Sequence, residues 1–494
     1  LLALSRRFVC LNALAPPRNK IIRSLHRTGT EVAVTLHMTT PSKRSAGILL
    51  HITSLPGPFG TGDLGPSAYH FADQLQHAKQ RYWQVLPINP LHPEHLSPYS
   101  PISSMAGEPI LISPELLADE GLLSAAQINR CKLPISDKAD FEKAIPIKLA
   151  LLEIAYLNFV QSADQSAFES YCQQEAHWLN EFTDHPREKW YQFKFDQQWS
   201  ALKTYCNEKG ILLFGDLPFY MHGDAVDVKA NPAFFNLNGI GGVPPDYFSE
   251  TGQCWNVPVY DWDALKADNY SWWIRRIQRN LSRFDLIRLD HFRAFAAYWE
   301  IPAGETTAVN GQWKPGPGAD LFKEFQQLFP GMPFIAEDLG TIDEPVKALQ
   351  EEFNLKGMRV LQFGFGEDLP QTDHAPHHFI NNIVAVTGTH DNNTTRGWYE
   401  EDADRKTKVN LREYTGLKVS AKKVARILCR MAYSSVADIV ILPMQDVLEL
   451  PAEARMNNPS GSQENWKWRM LAGQFKKGEI KRLRKWAKLY NRHQ

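Results

Sequence analysis

Apolar runs of strand length recur along this chain, separated by stretches with helical periodicity. The runs lie near Ile48–Ile52, Tyr82–Ile88, Leu212–Leu217, Phe284–Leu289, Phe334–Ala336, Met358–Phe363, Ile383–Val386 and Asp438–Leu442. Helical patterns fall between them, at Ser67–Lys79, Tyr191–Glu208, Leu321–Leu328 and Glu344–Phe353. Several runs lack apolar–polar alternation, as strands do when both faces are buried. About eight β-then-α units predict an α/β fold, a (β/α)8 TIM barrel. A doubly wound open sheet is the competing arrangement, but no glycine-rich phosphate loop follows the first run.

Two long insertions interrupt the pattern. Residues from about 110 to 190 are rich in Glu, Ala, Leu and Gln and read as helical. Residues from about 221 to 275 are rich in Gly, Pro, Asn and Trp and read as a loop-built subdomain over the barrel mouth. After the last run only basic, helical sequence follows, Trp466 to Gln494, so no C-terminal β-sandwich is expected. The segment 1–37 differs from the rest: Arg6, Arg7, Arg18, Lys20, Arg23 and Arg27 come before any acidic residue. It resembles an organelle transit peptide. Translated upstream sequence accounts for it equally well, with Met38 as the start of a catalytic barrel spanning 38–494. The expected compartment is the cytoplasm, or a plastid if the segment is a transit peptide.

Composition removes several classes. Fifty-four basic residues against 55 acidic ones leave a formal charge of −1, giving no global field for nucleic acid or an anionic membrane. No apolar stretch approaches the length of a membrane span. Cys10, Cys131, Cys172, Cys206, Cys254 and Cys429 lack C-x-x-C spacing, so neither a disulfide frame nor a cysteine zinc site is expected. The 14 Trp stand out. A large core would use them, and so would a carbohydrate cleft, where a sugar's C–H face stacks on a flat aromatic ring.

Three carboxylates each close an apolar run: Asp290 before His291-Phe-Arg293, Glu337 before Asp338-Leu-Gly340, and Asp391 after His390. The C-terminal ends of parallel barrel strands are where such folds place their chemistry. Two carboxylates flanking a sugar C–O bond are the parts of a glycosidase. Helix capping is the alternative reading of any one of them. Arg288 lies two residues before Asp290, on the same strand face, and can pair with it and orient it as a nucleophile. Glu337 follows Phe334, Ile335 and Ala336, surroundings that raise a carboxyl pKa and keep a proton for a leaving oxygen. Asp216, closing Phe214-Gly-Asp216, is a fourth wall of the same pocket. A metal site built from His390-Asp391 and Asp290-His291 is disfavoured, because no H-x-H or H-x-x-x-H accompanies them.

From about Gly47 to Arg469 the chain resembles the 4-α-glucanotransferases of the amylomaltase type, relatives of the α-amylases. The likeness is carried by Ser97-Pro-Tyr-Ser100, Gly215-Asp-Leu-Pro218, Gly242-Val-Pro-Pro-Asp-Tyr-Phe248 and Gly252-Gln-Cys-Trp255. It continues through Arg288-Leu-Asp-His-Phe-Arg293, Ala336-Glu-Asp-Leu-Gly340, Gly388-Thr-His-Asp-Asn392 and Arg455-Met-Asn457. The resemblance implies Asp290 as nucleophile, Glu337 as acid/base and Asp391 as transition-state stabiliser. It implies that Asp216, Arg288 and His390 line the donor subsite, and that Tyr99, Asp246, Gln253, Trp255 and Asn457 bind the glucan chain. The partners implied are α-1,4-glucans, with no cofactor and no metal. Glu108, Asn256, Ser460 and Glu464 depart from the family pattern and put loop φ angles and the acceptor cleft in question.

Expected chemistry is a retaining transfer between α-1,4-glucans. An α-amylase-type hydrolase shares every chemical part. A hundredfold preference for a sugar acceptor over water is about 2.7 kcal/mol, too little for residue physics to separate the two. A catalytically inert glycan-binding barrel would have no use for the carboxylate trio.

Overall fold

The computed structural model describes residues 44–161, 164–245 and 249–493. The segment 1–37 and Asp246 lie outside them. In chain order the strands are β1 (Ser45–Leu49), β2 (Tyr82–Gln84), β3 (Leu212–Leu217), β4 (Phe235–Val243), β5 (Gln253–Tyr260) and β6 (Leu286–Leu289). They continue as β7 (Ala297–Pro302), β8 (Gln312–Pro315), β9 (Phe334–Ala336), β10 (Gly357–Val360), β11 (Ile383–Val386) and β12 (Ile439–Pro443).

Eight strands form one parallel sheet in the order β10-β11-β12-β1-β2-β3-β6-β9. A further parallel bridge, Ile335 to Lys356, joins β9 to the residue before β10 and brings the sheet's two ends together. This is the (β/α)8 barrel. Every residue of β1, β11 and β12 is buried, which is why these runs carry no alternation. Register sets the active end: Asp216 pairs with Arg288, and Leu289 with Ala336, so Asp290 and Glu337 leave adjacent strands at the same level. Three expected strands end early, the first of them at Leu49, before Ile52–Ser54 turns into a 3-10 helix. Pro87 lacks an N–H for the ladder after β2, and Leu361–Phe363 turns into a 3-10 helix after β10.

The segment near 221–275 differs from expectation. It contributes β4 and β5, which join β7 and β8 in an antiparallel sheet of order β5-β4-β7-β8. Its glycines are sites of close strand contact. A Cβ on Gly242 would stand 2.1 Å from the Gln253 carbonyl oxygen, and Gly252 turns with φ +66°. Among the described residues the 110–190 stretch contains five α-helices, of which Phe141–Phe159 is the longest, and a further one, Pro186–Glu208, packs on the barrel beside helix Pro66–His77.

Most of the tryptophan surplus is core. Trp83, Trp178, Trp190, Trp199, Trp272 and Trp273 are fully buried. Arg276, also fully buried, donates to the Pro218 and Phe219 carbonyls and to Tyr260 Oη at 2.6, 3.1 and 3.1 Å, with its guanidinium over Trp273. These bonds pin the turn that follows Asp216.

Candidate active site

Arg288 organises the barrel's C-terminal mouth. Its Nη1 donates to both oxygens of Asp216, at 2.8 and 3.0 Å, and to Asp290 Oδ1 at 2.8 Å. Its Nη2 lies 3.9 Å from Glu337 Oε2. One guanidinium therefore touches three carboxylates from β3, β6 and β9. Such a cation must be fixed to be useful, and Arg288 is: its side chain is buried and its strand sits between two others.

Glu337 accepts a hydrogen bond from the His291 backbone N–H at 2.8 Å. His291 has φ +48°, a left-handed turn that aims its amide back toward β9. Burial pushes the Glu337 carboxyl up to about 8, aided by the charges of Asp290 and Asp338 and opposed by Arg288 and the His291 amide. At neutral pH it holds a proton. The apolar run before Glu337 matches its burial; Arg288, supplied by the neighbouring strand, opposes the effect, and burial outweighs it. Asp338 turns the other way, accepting from Met358 N at 2.6 Å and Arg359 Nη1 at 2.9 Å, which ties the end of β9 to β10.

Across the mouth, Asp391 accepts from Asn457 Nδ2 at 2.7 Å, and His390 Nε2 lies 3.3 Å from the same Oδ1. Arg455 donates to the Asp391 backbone oxygen at 2.6 Å. Asp391 is the most open of the trio, its side chain 43% exposed against 26% for Asp290 and 12% for Glu337. The loop beneath it is held by buried Asp446, which accepts from Thr395 N at 2.7 Å and from the Thr387 and Thr395 hydroxyls. Tyr99 closes the ring: its hydroxyl donates to Asp216 Oδ2 at 2.7 Å and lies 3.3 Å from His390 Nδ1, with the two rings stacked.

Tyr99, Asp216, Arg288, Asp290, Glu337, His390, Asp391 and Asn457 thus gather in one mouth. Trp255 and Gln253 lie beside it on β5, not on a loop as the sequence suggested. The indole meets His291 edge-on at 4.9 Å and donates to Gln253 Oε1 at 3.1 Å. Asn256 takes φ +53°, a conformation that Asn tolerates better than most residues. Glu108 caps a 3-10 turn, accepting from Leu91 N and Ile110 N, and burial pushes its carboxyl up to about 7. Glu464 pairs with Lys138 on the surface. Three contributors escaped sequence reasoning. Trp466 tilts over both Tyr99 and His390, Arg455 anchors the Asp391 backbone, and buried His51 lies in the same cavity wall as His390. Only Arg455 carried a signal, its place in the Arg455-Met-Asn457 motif.

A parallel barrel with three carboxylates at the ends of its strands is the frame of an enzyme acting on glycosidic bonds. Comparison with known proteins narrows this. The family model described as 4-alpha-glucanotransferase, glycoside hydrolase family 77, matches residues 50–187 and 183–474. The 4-alpha-glucanotransferase of Aquifex aeolicus is 40% identical over 89% of this chain and 98% of its own length. That of Thermus thermophilus is 37% identical over 91% and 99%. The chloroplastic/amyloplastic enzyme of Solanum tuberosum is 39% identical over 87% and 82%. Among solved structures, amylomaltase from Streptococcus agalactiae in complex with acarbose superposes with a TM-score of 0.87 at 32% identity, covering 91% of this chain and 99% of that one. The chain belongs to the 4-alpha-glucanotransferase family, and its function is of that transferring type; the hydrolase reading is not favoured. Among the described residues, no helix is long and apolar enough to cross a membrane.

Proposed function

We propose that the chain disproportionates α-1,4-glucans by double displacement, with Asp290 as nucleophile, Glu337 as acid/base and Asp391 as transition-state stabiliser. The observation that carries this reading is the contrast at Arg288: Asp290 receives a direct 2.8 Å bond, while Glu337, at 3.9 Å, is held protonated by burial. Glu337 gives its proton to the departing glycosidic oxygen as Asp290 attacks C1, forming a β-linked glycosyl-enzyme. The ionised Glu337 then takes the proton from the 4-OH of a second glucan, whose oxygen attacks C1 and restores the α linkage. Asp391, held by Asn457, faces the positive charge that develops at C1. Asp216, Arg288, His390 and Tyr99 hold the transferred glucose, with Trp255 and Gln253 on the path of the chain; the family likeness assigns Asp246 to chain binding as well.

The substrates proposed are maltooligosaccharides and fragments of starch or glycogen. The proposed catalytic unit runs from residue 38 and acts in the cytoplasm. A plastid becomes the reading if the basic segment is a transit peptide, a case that the chloroplastic/amyloplastic relative supports. Incubation with maltotriose tests the function. Glucose and a ladder of longer oligomers should form with little gain in reducing ends. Reducing ends rising in step with consumption, and no product longer than the substrate, would overturn it.

A further inference from the structure

The loops after β2 and β3 bring three histidines together beside the mouth. His92 and His95 come from the first loop and His222 from the second. Their ring centroids are 4.4 Å apart for His92–His222, 4.9 Å for His92–His95 and 5.6 Å for His95–His222. One ligand atom each from His92, His222 and Asp224 lies within 4.8 Å of the others, and the same holds for His92, Glu94 and His95. His92 is common to both sets.

We propose that this cluster binds a divalent transition-metal ion of the zinc type, through His92, His95, His222 and a carboxylate of Asp224 or Glu94. Three imidazoles and one carboxylate suit zinc and not calcium or magnesium, which take oxygen ligands. Two nearby carboxylates balance the ion's charge. The competing contacts are weak. The Asp224 carboxylate has an exposed ion pair with Lys229 at 3.3 Å, and the Glu94 and Asp224 amides donate to Nδ1 of His92 and His222 at 3.2 Å. Ligation through Nε2 would place protons on those Nδ1 atoms and release the two amides. Tetrahedral ligands stand about 3.3 Å apart, against separations of up to 4.8 Å within each set, so binding draws the two loops together.

The consequence is positional. The first loop continues to Tyr99 and the second leaves the end of β3, the strand that carries Asp216; Tyr99 and Asp216 share the 2.7 Å bond at the mouth. An ion here fastens the first loop to the one that follows Asp216, without touching Asp290, Glu337 or Asp391. The spacing His92-x-x-His95 is the sequence signal for half of the site; His222 joins it only through the fold.

The test uses the full chain, stripped of metal and titrated with Co²⁺ and then Zn²⁺. One Co²⁺ per chain should give the visible bands of a four-coordinate nitrogen–oxygen site, and Zn²⁺ should displace it. Zn²⁺ at a hundredfold excess over Kd should raise the melting temperature by about 3 °C. His92→Gln and His222→Gln should each weaken binding at least a hundredfold, to judge from the tenfold to hundredfold losses seen for residues one shell further out. His95→Gln, which alters an exposed ring, carries the test if the other variants fail to fold. Absence of the bands, or bands that persist in the folded variants, would overturn the assignment.

Discussion

Replacing Glu337 by Gln should abolish transfer and yet make the protein more stable, by an amount that grows with pH. The carboxyl is pushed from 4.5 in the unfolded chain to about 8 in the native state. A raised carboxyl pKa means that the native state binds the proton more tightly than the unfolded state does. The stability that this confers is complete below 4.5 and is lost as pH rises toward 8. At pH 7, well above 4.5 and still below 8, the unfolded wild type gains about 3 kcal/mol by ionising. Gln has no such ionisation, and its amide oxygen can still accept from the His291 N–H. The variant should therefore exceed the wild type by about 1 kcal/mol at pH 5 and about 3 kcal/mol at pH 7, levelling near 5 kcal/mol above pH 9. With roughly 450 ordered residues unfolding at about 0.9 kcal/mol per degree, the pH 7 gain is about 3–4 °C. Scanning calorimetry of both proteins at one scan rate and at several pH values checks it. A gap that does not change with pH, or a variant less stable at pH 7, would refute the account of why Glu337 keeps its proton.

Glu337→Gln, given a substrate whose leaving group needs no proton, should accumulate a glycosyl-enzyme; peptide mass spectrometry must find the sugar on Asp290, and a label elsewhere displaces it as nucleophile. Asp290→Ala should lower kcat by about three decades or more, because it removes a chemical participant and not a contact, as measured by glucose release from maltotriose. The alkaline limb of kcat/KM should fall through a pKa near 8, where Glu337 loses its proton, and a profile flat to pH 10 would contradict the acid assignment. Trp255→Ala should raise the hydrolysis-to-transfer ratio by roughly fivefold, the worth of about 1 kcal/mol of acceptor stacking; an unchanged ratio with a lowered melting temperature would make the indole a packing residue of β5.

The barrel was legible because its strands are buried on both faces. Ile383-Val-Ala-Val386 reads as an apolar run in the sequence and is buried throughout in the fold. Carboxylates ending such runs could be placed at one mouth before any coordinates. The antiparallel sheet of β4, β5, β7 and β8 was hidden, since Gly239, Gly241 and Gly242 look like loop residues until the close strand approach they permit is seen. The partners of Asp391 were hidden for another reason. Asn457 and Arg455 lie far along the chain on a loop without periodicity, so only a family likeness or the fold itself brings them near. The histidine cluster illustrates the same limit, with two members three residues apart in sequence and the third supplied by a different strand's loop.

Arg288 explains how three acidic groups in one pocket take different parts. Its Nη1 is committed to Asp216 and Asp290 before its charge reaches Glu337, which sees only Nη2 at 3.9 Å. A third full negative charge beside that pair would be repelled by Asp290 and Asp338 and stripped of water by the surrounding strands. Glu337 keeps a proton as the direct result. On the proposed mechanism the balance reverses once Asp290 is glycosylated: its charge is neutralised, the repulsion on Glu337 falls, and the proton becomes easier to lose. That is the moment at which an ionised Glu337 is needed to activate the acceptor hydroxyl. The same cation that orients the nucleophile thereby times the switch from acid to base. Arg288→Lys should disturb both functions together, because a single ammonium cannot span Asp216, Asp290 and Glu337 at once. Its kcat should fall by about a hundredfold or more, and the alkaline limb should move upward as Glu337 loses its nearest positive charge. A variant that keeps the wild-type pH profile while losing only substrate affinity would confine Arg288 to holding sugar.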